Sequence, residues 1–262
     1  VAQAQPAYVE RPRRRGRRAI VVLVVLLLLL VGILVVADRV AVGVAERAIT
    51  DQVRQEVAKQ GAQSAPPEVE VGGFPFLNQV LNGRYERISI VLREVRGSVQ
   101  GDAVSLPTLD IDARDVTASL DTLRSGQGEV VAKTVNGTAT ISYDSLAALL
   151  DRPGLKLSEQ GGKLAVTAPV DVLGQQLTVT GTADVAVGEQ GKVSLRFNDL
   201  NAEGLPDVPL ARTLLNNYAR SISIDVPLPE LPFQLTVREV RPTPDGLAVT
   251  ADATDVPLNS AG

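Results

Sequence analysis

The side chains that could do chemistry in this chain are carboxylates, because His and Cys are both absent. That absence removes Ser-His-Asp and Cys-His catalysis, thiolate nucleophiles, disulfides and structural zinc sites. The densest acidic run is Asp110, Asp112 and Asp115, with Asp121 at the twelfth position of a calcium-loop spacing. A calcium loop needs Gly at its sixth position for the sharp turn, and Asp115 stands there, with Arg114 at the fifth. Period-two spacing also sets Asp110 and Asp112 beside Arg114 on one strand face, so a solvated face is the favoured reading. No metal or cofactor is expected. A general base near neutral pH would have to be a carboxylate raised by burial or a lysine lowered by it. The chain carries no Gly-x-Ser-x-Gly elbow, no P-loop and no dinucleotide glycine pattern. No enzymatic activity is expected.

The other group that could act is apolar. Gly72-Gly73-Phe74-Pro75-Phe76-Leu77 places two of the four Phe within three positions, directly before Val80 and Leu81. As ordinary core this segment needs no function. Set against a long helix and a one-sided sheet, however, it offers an apolar wall that could take acyl chains. The residues expected to line such a cavity are Val53, Val57, Phe74, Phe76, Leu77, Val80, Leu81, Leu214 and Leu215.

Charge shows where those elements lie. Residues 1–18 hold six Arg against one Glu, and the remainder of the 262-residue chain is acidic enough to bring the total to −4. Between these parts, residues 19–37 are uncharged and almost wholly Val, Leu and Ile. As a helix this run is roughly 28 Å long, close to the hydrocarbon thickness of a bilayer. The preceding Arg cluster predicts a cytoplasmic N-terminus and an exported bulk. Val35-Val36-Ala37 resembles a signal-peptide cleavage site, but the run exceeds the usual apolar core of about 7–15 residues, which favours an uncleaved anchor. An acidic exported part with few aromatics offers no surface for nucleic acid.

Beyond the span, residues 38–60 read as an amphipathic helix. Val42, Ala45, Ile49, Val53 and Val57 form one stripe, and Gly61 and Pro66-Pro67 end it. From residue 68 the period changes to two. About ten strands follow, each with one apolar and one polar face, as an antiparallel sheet wetted on one side requires. A change of parity at Asp115 predicts a bulge or a turn. Asn136-Gly137-Thr138 fits a glycosylation triplet and also a tight turn, and the turn is preferred. Short helices are predicted over 75–82, 144–150 and 209–219, two of them opened by proline. Residues 74–90 also resemble residues 208–224 on a gapless shift, sharing a Pro, a Leu, an Asn and Ile-Ser-Ile. The shared pattern predicts two helix-then-strand units flanking one cavity.

The run Gly72-Gly73-Phe74-Pro75-Phe76-Leu77-Asn78-Gln79-Val80-Leu81-Asn82-Gly83-Arg84-Tyr85 resembles the signature of the LmeA family of actinobacterial cell-envelope proteins. Ser142-Tyr143-Asp144-Ser145-Leu146 and the segment from Val226-Pro227-Leu228 to Gly246-Leu247 agree with it. The resemblance implies phospholipid binding and a place in envelope lipid or lipoglycan assembly. The mycobacterial member supports mannan elongation in lipomannan synthesis, which makes envelope glycosyltransferases candidate partners. It also implies an α+β, tubular-lipid-binding-like fold. In that fold one long amphipathic helix packs in a strongly curved antiparallel sheet, here preceded by one transmembrane helix. The expected organisation is a basic cytoplasmic tail over 1–18, an anchor over 19–37, a lipid-binding domain over 38–258 and a short tail. Phospholipid and the cytoplasmic membrane are the expected partners. A scaffold for glycosyltransferases that binds no lipid is the alternative.

Overall fold

The computed structural model describes residues 15–99, 102–119, 121–122, 128–149, 154–172, 175–188, 193–202, 224–226 and 235–258. The apolar span and the amphipathic stretch are one unbroken helix, α1 (Arg15–Lys59). No proline interrupts these residues, so the backbone has no reason to stop at the polarity change. The helix ends in a Schellman motif, in which the Ala62 amide donates to the Val57 carbonyl (3.1 Å) and the Gly61 amide to that of Ala58 (3.0 Å). Gly61 takes the left-handed conformation that this motif requires (φ 68°). Within α1 lies a segment of mean hydropathy 3.7 with none of its surface covered, long and apolar enough to cross a membrane.

Eleven antiparallel strands follow among the described residues, arranged as two sheets. The first contains β1 (Glu68–Gly72), β2 (Arg84–Val99), β3 (Asp102–Thr117), β4 (Val131–Ile141), β10 (Thr236–Thr243) and β11 (Gly246–Pro257), in the order β1-β2-β3-β4-β11-β10. The second runs in sequence order through β5 (Lys156–Gln160), β6 (Lys163–Val172), β7 (Gln175–Val187), β8 (Val193–Ala202) and β9 (Ile224–Val226). Two short helices complete the description, α2 (Phe76–Asn82) and α3 (Tyr143–Leu149). The fold is thus α+β with a long apolar N-terminal helix. Among the described residues the strands divide between two sheets, where a single one was expected, and neither sheet closes on itself.

The main core lies on the inner face of the first sheet, where Phe76, Tyr85, Ala113, Val116, Ala132, Val135, Ala253 and Val256 are buried together. Ala41, Val42, Ala45 and Ile49 of α1 pack against them. Burial of these small side chains is the main stabilising term, at about 25 cal/mol per Å² of apolar surface. A second cluster, with Val237, Val240, Leu247 and Ala251 at its centre, joins the two sheets through Val185 and Val187 of β7.

The expected parity change at Asp115 is neither a turn nor a bulge with an extra residue but a break in the pairing inside one long strand, with Asp115 at φ 49° and the register to β2 and β4 unshifted on either side. It is one of a row. Inward residues are three apart on four neighbouring strands: Tyr85 and Ile88, Ala113 and Val116, Ala132 and Val135, Ala253 and Val256. The cross-strand register matches these pairs to one another. Each strand therefore places two consecutive residues outward at the same level, among them Asp115 and Asp255 (φ 53°).

Asn136-Gly137 is a correction to the sequence reading. It lies mid-strand in β4, where Gly137 pairs with Ile111 on one side and Ala251 on the other. A ladder on both edges overrides the local turn preference of Asn-Gly. The pairs Gly161-Gly162 and Pro244-Asp245 connect the hairpins β5–β6 and β10–β11. Positive φ at both Gly161 (61°) and Gly162 (78°) makes the first a type I′ turn. The expected helix over 209–219, and with it the second copy of the internal repeat up to residue 223, lies outside the described residues.

On the outer face, Asp112 is the centre of an ion cluster. It accepts from Arg114 Nε (2.7 Å) and from Arg87 Nε. Among the described residues no group of acids is placed to hold a metal ion. Burial alone would raise the Asp112 carboxyl, but the Arg114 and Arg87 hydrogen bonds outweigh it and hold it below the usual range. Asp252 is lowered in the same way by Arg238. A carboxyl lowered on folding stabilises the fold in full above the unfolded value of about 3.9, and that contribution is lost as pH falls through the folded value. The urea midpoint is therefore expected to hold between neutrality and about pH 5 and to fall below about pH 4. Asp112→Asn should flatten that slope.

Candidate functional site

The Gly72–Tyr85 segment forms the junction between α1 and the first sheet. Its glycines are required by geometry. Gly73 has φ 91°, and a Cβ there would lie 2.5 Å from Gln79 Nε2 and 2.7 Å from Glu86 Oε2. Gly83 caps α2 in the left-handed conformation, and a Cβ there would approach the Ala118 carbonyl oxygen to 2.9 Å. Gly83→Ala is expected to cost about 1–2 kcal/mol for the left-handed backbone alone, read as a lower urea midpoint. Gln79 is buried and bridges two strands, its Nε2 donating to the Gly72 carbonyl (3.1 Å) and its Oε1 accepting from the Glu86 amide (2.9 Å).

Two carboxylates of α1 hold this segment from the other side. Asp38 Oδ1 accepts from the Leu77 amide at 2.8 Å, and Glu46 Oε1 accepts from the Val71 amide at 3.1 Å. The position before α2 is Pro75, whose side chain cannot cap, so Asp38 caps the helix from another element. Asp38 is only 2% exposed. Its Oδ2 and the hydroxyl of Tyr85 are buried with no hydrogen-bond partner among the described residues. Burial also raises the Tyr85 hydroxyl above its ordinary pKa.

The expected lining residues do not share one environment. Phe76 is in the core, with its ring 6.2 Å from that of Tyr85. Val80 packs against the same cluster. Val53 and Val57 are half-buried on α1, further along than the residues that pack into that core. Phe74, Leu77 and Leu81 are exposed, Leu81 to 80%, and the Arg39 guanidinium lies 5.3 Å from the centre of the Phe74 ring. Leu214 and Leu215 lie outside the described residues. Helical spacing shows which residues share a stripe, but not whether a second layer covers that stripe.

A cleft of about 460 Å³ opens where the four strands change phase, lined by Arg84, Glu86, Asp115, Thr117, Lys133 and Asp255 together with Tyr85 and Val131. None of the expected lining residues borders it. Charges of both signs suit polar ligand atoms rather than hydrocarbon. Sequence reasoning missed this cleft because its residues come from four strands and meet only through the register. The parity change at Asp115 was the one signal pointing to it.

With this geometry in view, the LmeA-like phospholipid-binding family matches residues 36–252. The chain belongs to that family. Comparison with curated proteins and with solved structures finds no match. The LmeA match begins two residues before Asp38, so the shared unit starts where α1 first bonds to α2. Its second motif block is likewise structural. Tyr143 Oη donates to the Thr243 carbonyl (2.7 Å), and Ser145 Oγ accepts from the Ser105 amide (2.8 Å), so α3 ties β3 to the β10–β11 hairpin.

Proposed function

We propose that this LmeA-family chain is exported and held by α1 in the cytoplasmic membrane with its N-terminus inside. Its domain takes up phospholipid by burying acyl chains along α1, in support of envelope lipid or lipoglycan assembly of the lipomannan type. Family membership supports phospholipid as the ligand. One geometric observation carries the location: the apolar stripe of α1 continues two turns past the core. Ile49 still packs into the main cluster, whereas Val53 and Val57 stand half-buried beyond it. The level at which four neighbouring strands change phase together, with left-handed residues at Asp115 and Asp255, is where the sheet would bend towards this stripe.

In this reading Val53 and Val57 form the wall beyond the core that Phe76 and Val80 fill, Phe74, Leu77 and Leu81 stand at the mouth, and Leu214 and Leu215 are further candidates for lipid contact. Each buried methylene contributes about 0.8 kcal/mol before ordering costs, so two acyl chains suffice for tight binding without strong polar contacts. Envelope glycosyltransferases are the candidate protein partners. Native mass spectrometry of the full chain tests the reading. The wild type should retain phospholipid, and Val53→Asp with Val57→Asp should lose most of it while keeping the wild-type circular dichroism. A double variant that folds and retains as much phospholipid would remove α1 from the site.

A further inference from the structure

The exposed face of α2 lies at a height that the structure determines. The two α1 anchors are Asp38, bonded to Leu77, and Glu46, bonded to Val71. Eight helical residues separate them, which is about 12 Å along the axis. From Val71 to Leu77 the chain therefore runs back along α1 towards the apolar span and stops level with the span's first charged residue. The surface at that height is also unusual. Phe74, just before α2, and Leu77 and Leu81 of α2 are exposed, and Val40 and Val44 are exposed on the side of α1 turned away from Asp38, so both elements present apolar surface at this height. Arg39 and Arg84 flank it, the first stacked on Phe74 and the second directly after the Gly83 cap.

We infer that α2 is seated in the outer leaflet of the membrane that α1 spans, as an interfacial contact rather than a free surface. The occupant follows from continuity. The apolar surface of α2 adjoins a helix whose own exposed apolar surface begins at Ile20 and leads up to that level. A short helix with apolar side chains on one side and arginines at its rim matches the boundary between headgroups and acyl chains, where arginine stems lie along apolar surface and their heads reach phosphate. The rigid α1 then holds the domain at one height, with the proposed mouth open to the leaflet instead of to water. This inference rests on the proposed anchor and deepens the proposed lipid reading.

The absence of Cys gives a clean test, since a single introduced thiol carries the only label. Leu81→Cys, Val36→Cys and Gln60→Cys are each labelled with a polarity-sensitive fluorophore in the full chain. Each protein is reconstituted in vesicles of phosphatidylethanolamine and phosphatidylglycerol, with and without brominated acyl chains. The label at position 81 should show blue-shifted emission and lose intensity with brominated lipid, as at position 36 and unlike position 60. Emission at 81 matching that at 60 overturns the seating. Blue-shifted emission that brominated lipid leaves unquenched also overturns it, because protein rather than lipid then covers α2. An unquenched label at 36 overturns the anchor and the seating together. Bound phospholipid is measured separately by native mass spectrometry. Phospholipid retained with a water-exposed label at 81 overturns the seating alone. A bare chain with a quenched label overturns the lipid reading and leaves the seating intact.

Discussion

Phe76→Ala should lower the stability of the domain by about 3–5 kcal/mol, the cost of removing a buried aromatic ring and leaving a cavity. Phe76 is 5% exposed and packs on Tyr85 at the centre of the main core. It is also the first residue of α2, so its ring pins that helix to the sheet. Leu81→Ala is the control. It lies five residues further on, 80% exposed, and should change stability by no more than about 0.5 kcal/mol. Urea unfolding of the two variants side by side separates the residue that builds the fold from one that faces outward. Equal losses would mean that Leu81 is covered.

The second large effect is expected at Asp38. Asp38→Ala removes the only side-chain acceptor seen for the Leu77 amide among the described residues and should cost about 1–2 kcal/mol, as for loss of a helix cap. Asp38→Asn keeps an acceptor at Oδ1 and replaces a buried carboxylate with a neutral amide, which is cheaper to bury. The Asn variant should therefore stay close to the wild type. Hydrogen exchange at the Leu77 amide gives the local reading: faster in Asp38→Ala, little changed in Asp38→Asn. If both variants lose stability equally, the negative charge rather than the hydrogen bond is what Asp38 contributes.

These two residues also show how far the sequence could be read. Phe76 belonged to a visible cluster, and its type made burial or a cavity wall the natural alternatives. In the sequence Asp38 is only the first residue of the amphipathic stretch. Its role as a cap depends on a residue 39 positions away, and no local pattern encodes such a pairing. The division of strands between two sheets was hidden for the same reason. Alternation shows that a strand has one wet face, but not which strand lies beside it. Asn136-Gly137 was misread because turn chemistry is local, whereas its two partners, Ile111 and Ala251, are remote.

The order of residue types by itself determined the apolar helix, the amphipathic stripe that continues it, the one-sided strands and the family. All of these are periodic or contiguous features, and the backbone turns such features into structure over a few residues. The tertiary structure alone decided which apolar residues are inside. Phe76 and Leu81 have the same hydrophobic character and sit on one short helix, yet one fills the core and the other stands free. Burial is a property of what packs opposite a side chain. Here that opposite surface is a sheet whose four central strands change phase together, a coincidence of register that no single strand contains.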